Sequence, residues 1–346
     1  MPPLMKLVDY DFDLPDELIA QHPSPERDQS RRLVVNRSDG SLVHLHFRDI
    51  IAQLAPPDAL VLNHTRVISA RLIGHKADTG GRVELLLIRP LAEGDWLAMG
   101  RPGRGLKPGT RLVFGNGALQ AHIVERVANG RFQVRLDGGD VLARLEEMGK
   151  IPLPPYIRRP PGAADRDRYQ TVYAARPGAI AAPTAGLHFT PQLLAAIQAK
   201  GVVVAKVLLH VGPGTFEPVR SADPREHRLE AEYCEIDPGV AAALARCHAA
   251  GGRIVAVGTT VVRTLESGVD AAGKLQSYAG FTDRFIYPPY EFGAVDALVT
   301  NFHLPRSTLL FLVAAFVGRE RLLAAYREAV KRKYRFYSYG DAMMIL

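Results

Sequence analysis

Cysteine is scarce in this chain. Cys234 and Cys247 are the only two among 346 residues. They are too few for a disulfide framework and lack the spacing of a zinc site, so two structural thiols in a reducing compartment are expected. Long apolar runs are missing as well. The longest, residues 309–317, falls far short of the roughly 20 residues that span a bilayer. The first thirteen residues lack the apolar centre of a secretory signal. A cytoplasmic protein is the expectation. There is no low-complexity tract, no nicotinamide fingerprint and no serine-nucleophile elbow. Residues 100–107 carry the glycines of a phosphate-binding loop, yet Leu106 stands where its lysine belongs and no helix pattern follows. These absences leave a cofactor-free, metal-free enzyme that draws its reactivity from its substrate, or a binding protein.

Positive charge is what the chain has in excess. Lys and Arg number 43 against 36 Asp and Glu, a formal charge of +7. Four local clusters hold much of it: Arg27, Arg31, Arg32 and Arg37; Arg101, Arg104, Lys107 and Arg111; Arg158, Arg159, Arg166 and Arg168; and Lys331, Arg332, Lys333 and Arg335. Any one cluster reads as a solvated face ahead of a phosphate contact. Four together permit a polyanionic partner such as RNA.

The pattern of the chain divides it in two, with 346 residues being long for one core. Residues 32–36 and 42–47 flank Asp39-Gly40, a hairpin signal. Its second strand puts His44 and His46 on one face, a surface pair without a third metal ligand. From 67 to 150 six short strand-like runs (68–73, 82–89, 96–100, 110–114, 120–127 and 132–136) recur between glycine-rich turns, and a helix pattern at 141–148 follows. Such strands predict a small closed barrel, which leaves no unpaired edge. Residues 1–66 and 151–346 form the other unit. After 191 its helices (191–199, 239–250, 261–266, 308–317, 319–333) alternate with strands (202–210, 253–257, 281–287, 295–300). The fold class expected is α/β, a larger domain with a mostly parallel sheet plus an inserted six-stranded β-barrel.

Four loops of the α/β unit carry unusual polar or glycine content. Residues 299–308 place Thr300, Asn301, His303, Ser307 and Thr308 between two apolar runs, with Ser307 a good helix cap. Buried there, such groups either satisfy one another or face a ligand. Gly258, Thr259 and Thr260 open a helix carrying Arg263 and Glu266, which suits an anion or simply a threonine cap. His210, Gly212, Gly214, Thr215 and Glu217 end another strand, where glycines permit close backbone approach and His210 and Glu217 can carry protons. Thr184, Gly186, His188 and Phe189 suit a flat ring with one polar edge, or helix–loop packing.

Together these motifs resemble one family, the S-adenosylmethionine:tRNA ribosyltransferase-isomerases of queuosine biosynthesis. The resemblance runs from residues 9–15 to 340–343 and takes in 63–67, 169–173, 183–189, 210–216, 257–260, 263–267 and 300–310, so it covers essentially the whole chain. There are departures. Glu230 stands where the family often has a second histidine, so no proton transfer is assigned to that position. Pro213, Val261 and Pro289 replace Ala or Gly, Ser, and Gly.

The resemblance implies a monomer with an inserted six-stranded barrel and a defined reaction. The ribosyl part of S-adenosylmethionine, a consumed substrate rather than a bound cofactor, moves to the aminomethyl group of a deazaguanine at the tRNA wobble position. Epoxyqueuosine remains, and adenine and methionine leave. On that basis His210 and Glu217 are the proton-transfer pair, and Thr184, Gly186, His188 and Phe189 cradle adenine. Gly212, Gly214 and Thr215 bring backbone close to the substrate. Gly258, Thr259 and Thr260 with Arg263 hold the methionine carboxylate, while Asn301 and His303 orient ribose or wobble base. Arg66, Arg101, Arg104, Lys107, Arg158, Arg159, Lys331 and Lys333 are expected to hold the anticodon arm. Two rival readings remain: an S-adenosylmethionine-dependent methyltransferase, and a non-catalytic RNA-binding protein.

Overall fold

The computed structural model describes residues 5–216, 219 and 221–346, except the side chain of Phe216. A nine-stranded mixed sheet dominates it. From edge to edge the order is β15 (Tyr278–Thr282), β13 (Glu232–Ile236), β12 (Val203–Leu209), β3 (Ala59–Asn63), β14 (Ile254–Val257), β16 (Ala297–Asn301), β17 (Ala342–Ile345), β1 (Arg31–Val35) and β2 (Leu42–His46). The central pairings β12–β3, β3–β14 and β14–β16 are parallel, as the near-continuous apolar runs of β14 and β16 require of strands covered on both faces. Both edges end in antiparallel pairs.

Alternation along the strands divides the core. Val61, Val207, Ala256 and Leu298 point to one face, packed with Leu244 of α4 (Pro238–Ala249), Val262 of α5 (Thr259–Ser267), Phe311 of α6 (Thr308–Val317) and Tyr326 of α7 (Arg319–Lys331). Leu60, Leu62, Val255 and Val299 point to the other, against Leu193 of α3 (Pro191–Ala199) and Phe47 and Ile50. This period of two yields three layers. Side chains cap the helix starts: Thr190 accepts the Leu193 amide, Asp237 that of Gly239, and Ser307, expected as a cap, that of Leu310.

Between β3 and the rest of the sheet the chain leaves through β4 (Thr65–Val67), which pairs in parallel with β11 (Arg176–Ala179). It then closes the barrel β10-β7-β6-β5-β8-β9, with β5 Arg71–Lys76, β6 Arg82–Pro90, β7 Asp95–Arg101, β8 Arg111–Phe114, β9 Leu119–Arg126 and β10 Arg131–Asp137. Its interior holds Leu85, Leu87, Ala98, Leu112, Ile123 and Val134, all essentially without exposure. Helix α1 (Val141–Met148) and the single turn α2 (Asp165–Arg168) lead back to the sheet.

Two expectations change. The strand foreseen at 281–287 ends at Thr282, because its partner β13 begins at Glu232, directly opposite. The first basic cluster is not a solvated face. Arg32 is fully buried against Met344 Sδ and Gln53, and burial lowers its pKa to about 10. Arg27 donates to the Leu187 and Asp167 carbonyls.

Candidate functional site

Strands β3, β12, β14 and β16 end on one side of the sheet, at Asn63, Leu209, Val257 and Asn301. Loops leaving such carboxyl ends enclose the ligand sites of open α/β sheets. Asn63 locks three of them together. Its Nδ2 donates to the Leu209 carbonyl (3.0 Å) and to Thr260 Oγ1 (3.3 Å), and its Oδ1 accepts from the Leu209 and Thr65 amides, both at 3.1 Å.

A cleft lies at these ends, the place where small-molecule sites of such sheets form. Thr184, Thr259, Thr260, Thr300, Asn301 and His303 give it polar walls, and Tyr156, Tyr337 and Leu309 apolar ones. Gly258, at φ 95°, makes the turn into α5 that a side chain would strain. The first amides of α5, at Thr259 and Thr260, have no carbonyl of their own helix to meet, so this end favours an anion.

Asn301 is 2 % exposed. Its Nδ2 donates to the Tyr337 carbonyl at 3.1 Å and to His188 Nε2 at 3.2 Å. Its buried Oδ1 has no partner among the described residues, which is costly unless a ligand donates to it. An amide nitrogen only donates, so His188 Nε2 accepts and Nδ1 carries the proton, directed at Ser30 Oγ 2.7 Å away. Burial, reinforced by Arg27, lowers the His188 pKa to about 3 and keeps the ring neutral. His303, bound through Nε2 to Thr300 Oγ1 at 2.8 Å, is likewise lowered to about 3 by burial.

The loop 212–215 divides the cleft from two further hollows. Thr215 and Leu309 line both the cleft and a small neighbour, which Gly214 and Arg263 also line. Glu230 and Glu232 are shared between that neighbour and a hollow lined by His210 and Gly212. Glu232 anchors the loop: its Oε1 accepts the Gly212 amide at 2.6 Å, and its Oε2 pairs with Arg263. His210 Nδ1 lies 2.8 Å from Thr65 Oγ1. Burial, then Arg176, lowers its pKa to about 4, so it is neutral at pH 7.

The comparisons with known proteins agree on one family. The family model described as "Queuosine biosynthesis protein" matches residues 7–345. The chain belongs to the queuosine-biosynthesis family of S-adenosylmethionine:tRNA ribosyltransferase-isomerases. Proteins of that name from Pelotomaculum thermopropionicum and Anaeromyxobacter sp. strain Fw109-5 are 52% and 54% identical to it, over 99% of this chain and 100% and 99% of theirs. The solved S-adenosylmethionine tRNA ribosyltransferase of Thermotoga maritima is 41% identical, with a TM-score of 0.56, covering 98% of this chain and 100% of that one.

Within this family member, the structure brings Thr184, Thr215, Gly258, Thr259, Thr260, Asn301 and His303 to the cleft. Others move. Phe189 is fully buried in the core, edge-on to Phe47, and presents no face to a ligand. His188 stacks on Phe47 and reaches the cleft only through Asn301. Gly186 packs where a Cβ would meet the Tyr173 hydroxyl. Arg263, meant for a carboxylate ligand, already has one in Glu232, and it also donates to the Arg284 and Thr282 carbonyls. Glu217 lies outside the described residues.

The basic residues do not form one surface. Arg101, Arg104 and Lys107 are exposed on the barrel. Arg66, Arg158 and Arg159 pair with Glu146, Asp16 and Asp165. Lys331 and Lys333 are exposed beside β1, where the Lys333 carbonyl accepts from Arg31, several strands away from the edge that meets the barrel.

Tyr156, Tyr337 and Ser338 escaped the sequence reading. The two rings stack at 4.4 Å, and the Tyr156 hydroxyl meets Ser338 Oγ at 2.6 Å. The aromatic run from Tyr334 to Tyr339, with polar Ser338 inside it, was the available signal. No group of three or more His, Cys, Asp or Glu able to hold a metal occurs among the described residues, and no described helix is long and apolar enough to cross a membrane.

Proposed function

We propose that this family member transfers and isomerises the ribosyl moiety of S-adenosylmethionine onto the aminomethyl-deazaguanine at the wobble position of tRNA. Epoxyqueuosine is left, with adenine and methionine released. The observation that carries this reading is the cleft at the strand ends, where an unpartnered buried acceptor on Asn301 and the amino end of α5 border one space. A nucleoside with a charged amino-acid tail matches both. Its ribose hydroxyls or exocyclic amine can donate to Asn301 Oδ1, and its carboxylate suits the α5 amides rather than Arg263.

The sulfonium acidifies the carbon beside it, so a positioned base starts the reaction without a metal. His210, neutral at pH 7 and held through Nδ1, is the proposed base, reaching in from the hollow next to the cleft; Glu217 is its proposed partner on sequence grounds. General acid–base help of this kind is worth roughly 10²–10⁴-fold per group, which leaves orientation by the cleft a large share. Arg101, Arg104 and Lys107 on the barrel are proposed to hold the anticodon arm. The test is product analysis after incubation with S-adenosylmethionine and precursor tRNA. Free adenine and a wobble nucleoside heavier by the ribosyl unit support the proposal. Adenosylhomocysteine shows a methyltransferase instead, and tRNA binding without any base product shows a non-catalytic binder.

A further inference from the structure

A transfer between two substrates needs a place for the acceptor as well as for the donor. The hollow beyond the 212–215 loop opens between the two domains. Barrel residues Ile88, Arg89 and Pro90 form one wall, and Tyr233 and Phe281 of the sheet edge form another. His210 and Gly178 lie in its lining, and a Cβ on Gly178 would come within 2.7 Å of the imidazole. The backbone there lies directly on the ring.

Phe281 is 52 % exposed, and no other described Phe, Tyr or Trp is as open to solvent. It sits on an edge strand at the mouth of a concave space, with the Arg89 guanidinium 5.3 Å from its ring centroid. Behind it Tyr233 packs edge-on at 5.5 Å, and Tyr233 in turn lies nearly parallel to His210, at 6.3 Å and 24°. The Arg176 guanidinium stands 6.0 Å over the Tyr233 ring and is itself paired with Glu235. An aromatic left open, backed by a second aromatic and flanked by a guanidinium group, is the surface on which unstacked nucleic-acid bases are held. A hydrophobic protein partner would require a wider apolar patch; the Arg89 guanidinium at its rim instead favours an anionic polymer.

We infer that this hollow takes the acceptor base of the RNA, a flat deazapurine turned out of its stack, with Phe281 as its platform and Arg89 beside it. The donor nucleoside occupies the cleft, and the small hollow that shares Thr215 and Leu309 with the cleft and Glu230 and Glu232 with this one is where the amine reaches the ribosyl carbon. This assignment rests on the proposed transferase reading.

The test uses the full-length protein and two anticodon stem–loops. One carries the aminomethyl-deazaguanine at the wobble position, and the other is abasic there. Wild type should prefer the first by roughly 5- to 150-fold, the range of one base–aromatic stack. In Phe281→Ala that preference should collapse toward unity, while affinity for the abasic loop and KM for S-adenosylmethionine stay unchanged. Phe281→Trp should restore it. Because the side chain is exposed, neither substitution should alter the melting temperature appreciably. Phe281→Ala that keeps the wild-type preference, or that raises KM for S-adenosylmethionine instead, overturns the inference. If wild type releases adenine and such a result is obtained, only the assignment of this hollow is lost. A wild type that releases no adenine and binds both loops equally overturns the functional reading with it.

Discussion

Glu232→Gln is the most incisive single substitution. The change keeps the shape of the side chain, and a glutamine oxygen can still accept the Gly212 amide. What it removes is the charge facing Arg263. The two side chains are 6% and 7% exposed, so the guanidinium would stay buried, bonded to the Arg284 and Thr282 carbonyls but without its counter-ion. Breaking one partner of such a pair costs roughly 3–5 kcal/mol. At about 2 °C per kcal/mol for a chain of this size, calorimetry should show melting lowered by roughly 6–10 °C. The double variant Glu232→Gln/Arg263→Met should recover part of this, since no orphaned charge remains. Turnover should fall in the single variant because the 212–215 loop loses its charged anchor. A single variant melting within a degree of wild type would show that solvent reaches Arg263, and the argument would fail.

Four further outcomes follow from the same geometry. Three histidines are held neutral, with pKa values lowered mainly by burial to about 3 for His188 and His303 and about 4 for His210. The unfolded chain therefore binds more protons below its histidine pKa near 6.5. Stability should be fully present above that pH and fall toward pH 4, by about 1.4 kcal/mol per pH unit for each histidine; a flat denaturation profile over this window contradicts the burial. Long-range proton–nitrogen NMR should find His188 as the Nδ1–H tautomer, and Nε2–H would break the link to Asn301. Asn301→Ala should raise KM for S-adenosylmethionine by about 10-fold or more, the worth of a ligand bond to a buried acceptor; an unchanged KM places the nucleoside elsewhere. Association with the anticodon arm should weaken steeply with salt, and Arg104→Ala and Lys107→Ala should each reduce the slope by about one, whereas Lys331→Ala should leave it unchanged.

How far the sequence could be read depended on whether the signal was local. The barrel was legible because short strand-like runs recur closely between glycine-rich turns with no helix among them, and six runs became six strands. The β1–β2 hairpin and the Ser307 cap were equally local. Strands β13 and β17 were not foreseen. One mixes Glu, Tyr and Cys, and the other is four apolar residues that could as well have continued a helix; only pairing with distant strands defines them. The parallel centre and the hairpin edge were expected, and the antiparallel edge of β13 and β15 was not, since periodicity carries no direction.

In the site, the loops were found but several roles were not. Phe189 has the composition of a ligand cradle, yet it follows a short turn that drives it into the core beside Phe47. Arg263 looked available because its partner Glu232 lies 31 residues away in sequence and meets it only across the sheet edge. His188 was rightly singled out as polar, but its contact with Asn301 spans 113 residues. The basic clusters misled most, because Arg32 and Arg27 serve internal contacts that composition does not reveal.

The central claim is that the cleft bounded by Thr184, Thr260 and Asn301 holds the sulfonium nucleoside. The most direct measurement is a crystal structure of the protein soaked with S-adenosylmethionine. A nucleoside donating a hydrogen bond to Asn301 Oδ1, with its carboxylate at the Thr259 and Thr260 amides, is the result predicted. Density for it in any other hollow, with this cleft empty, contradicts the account.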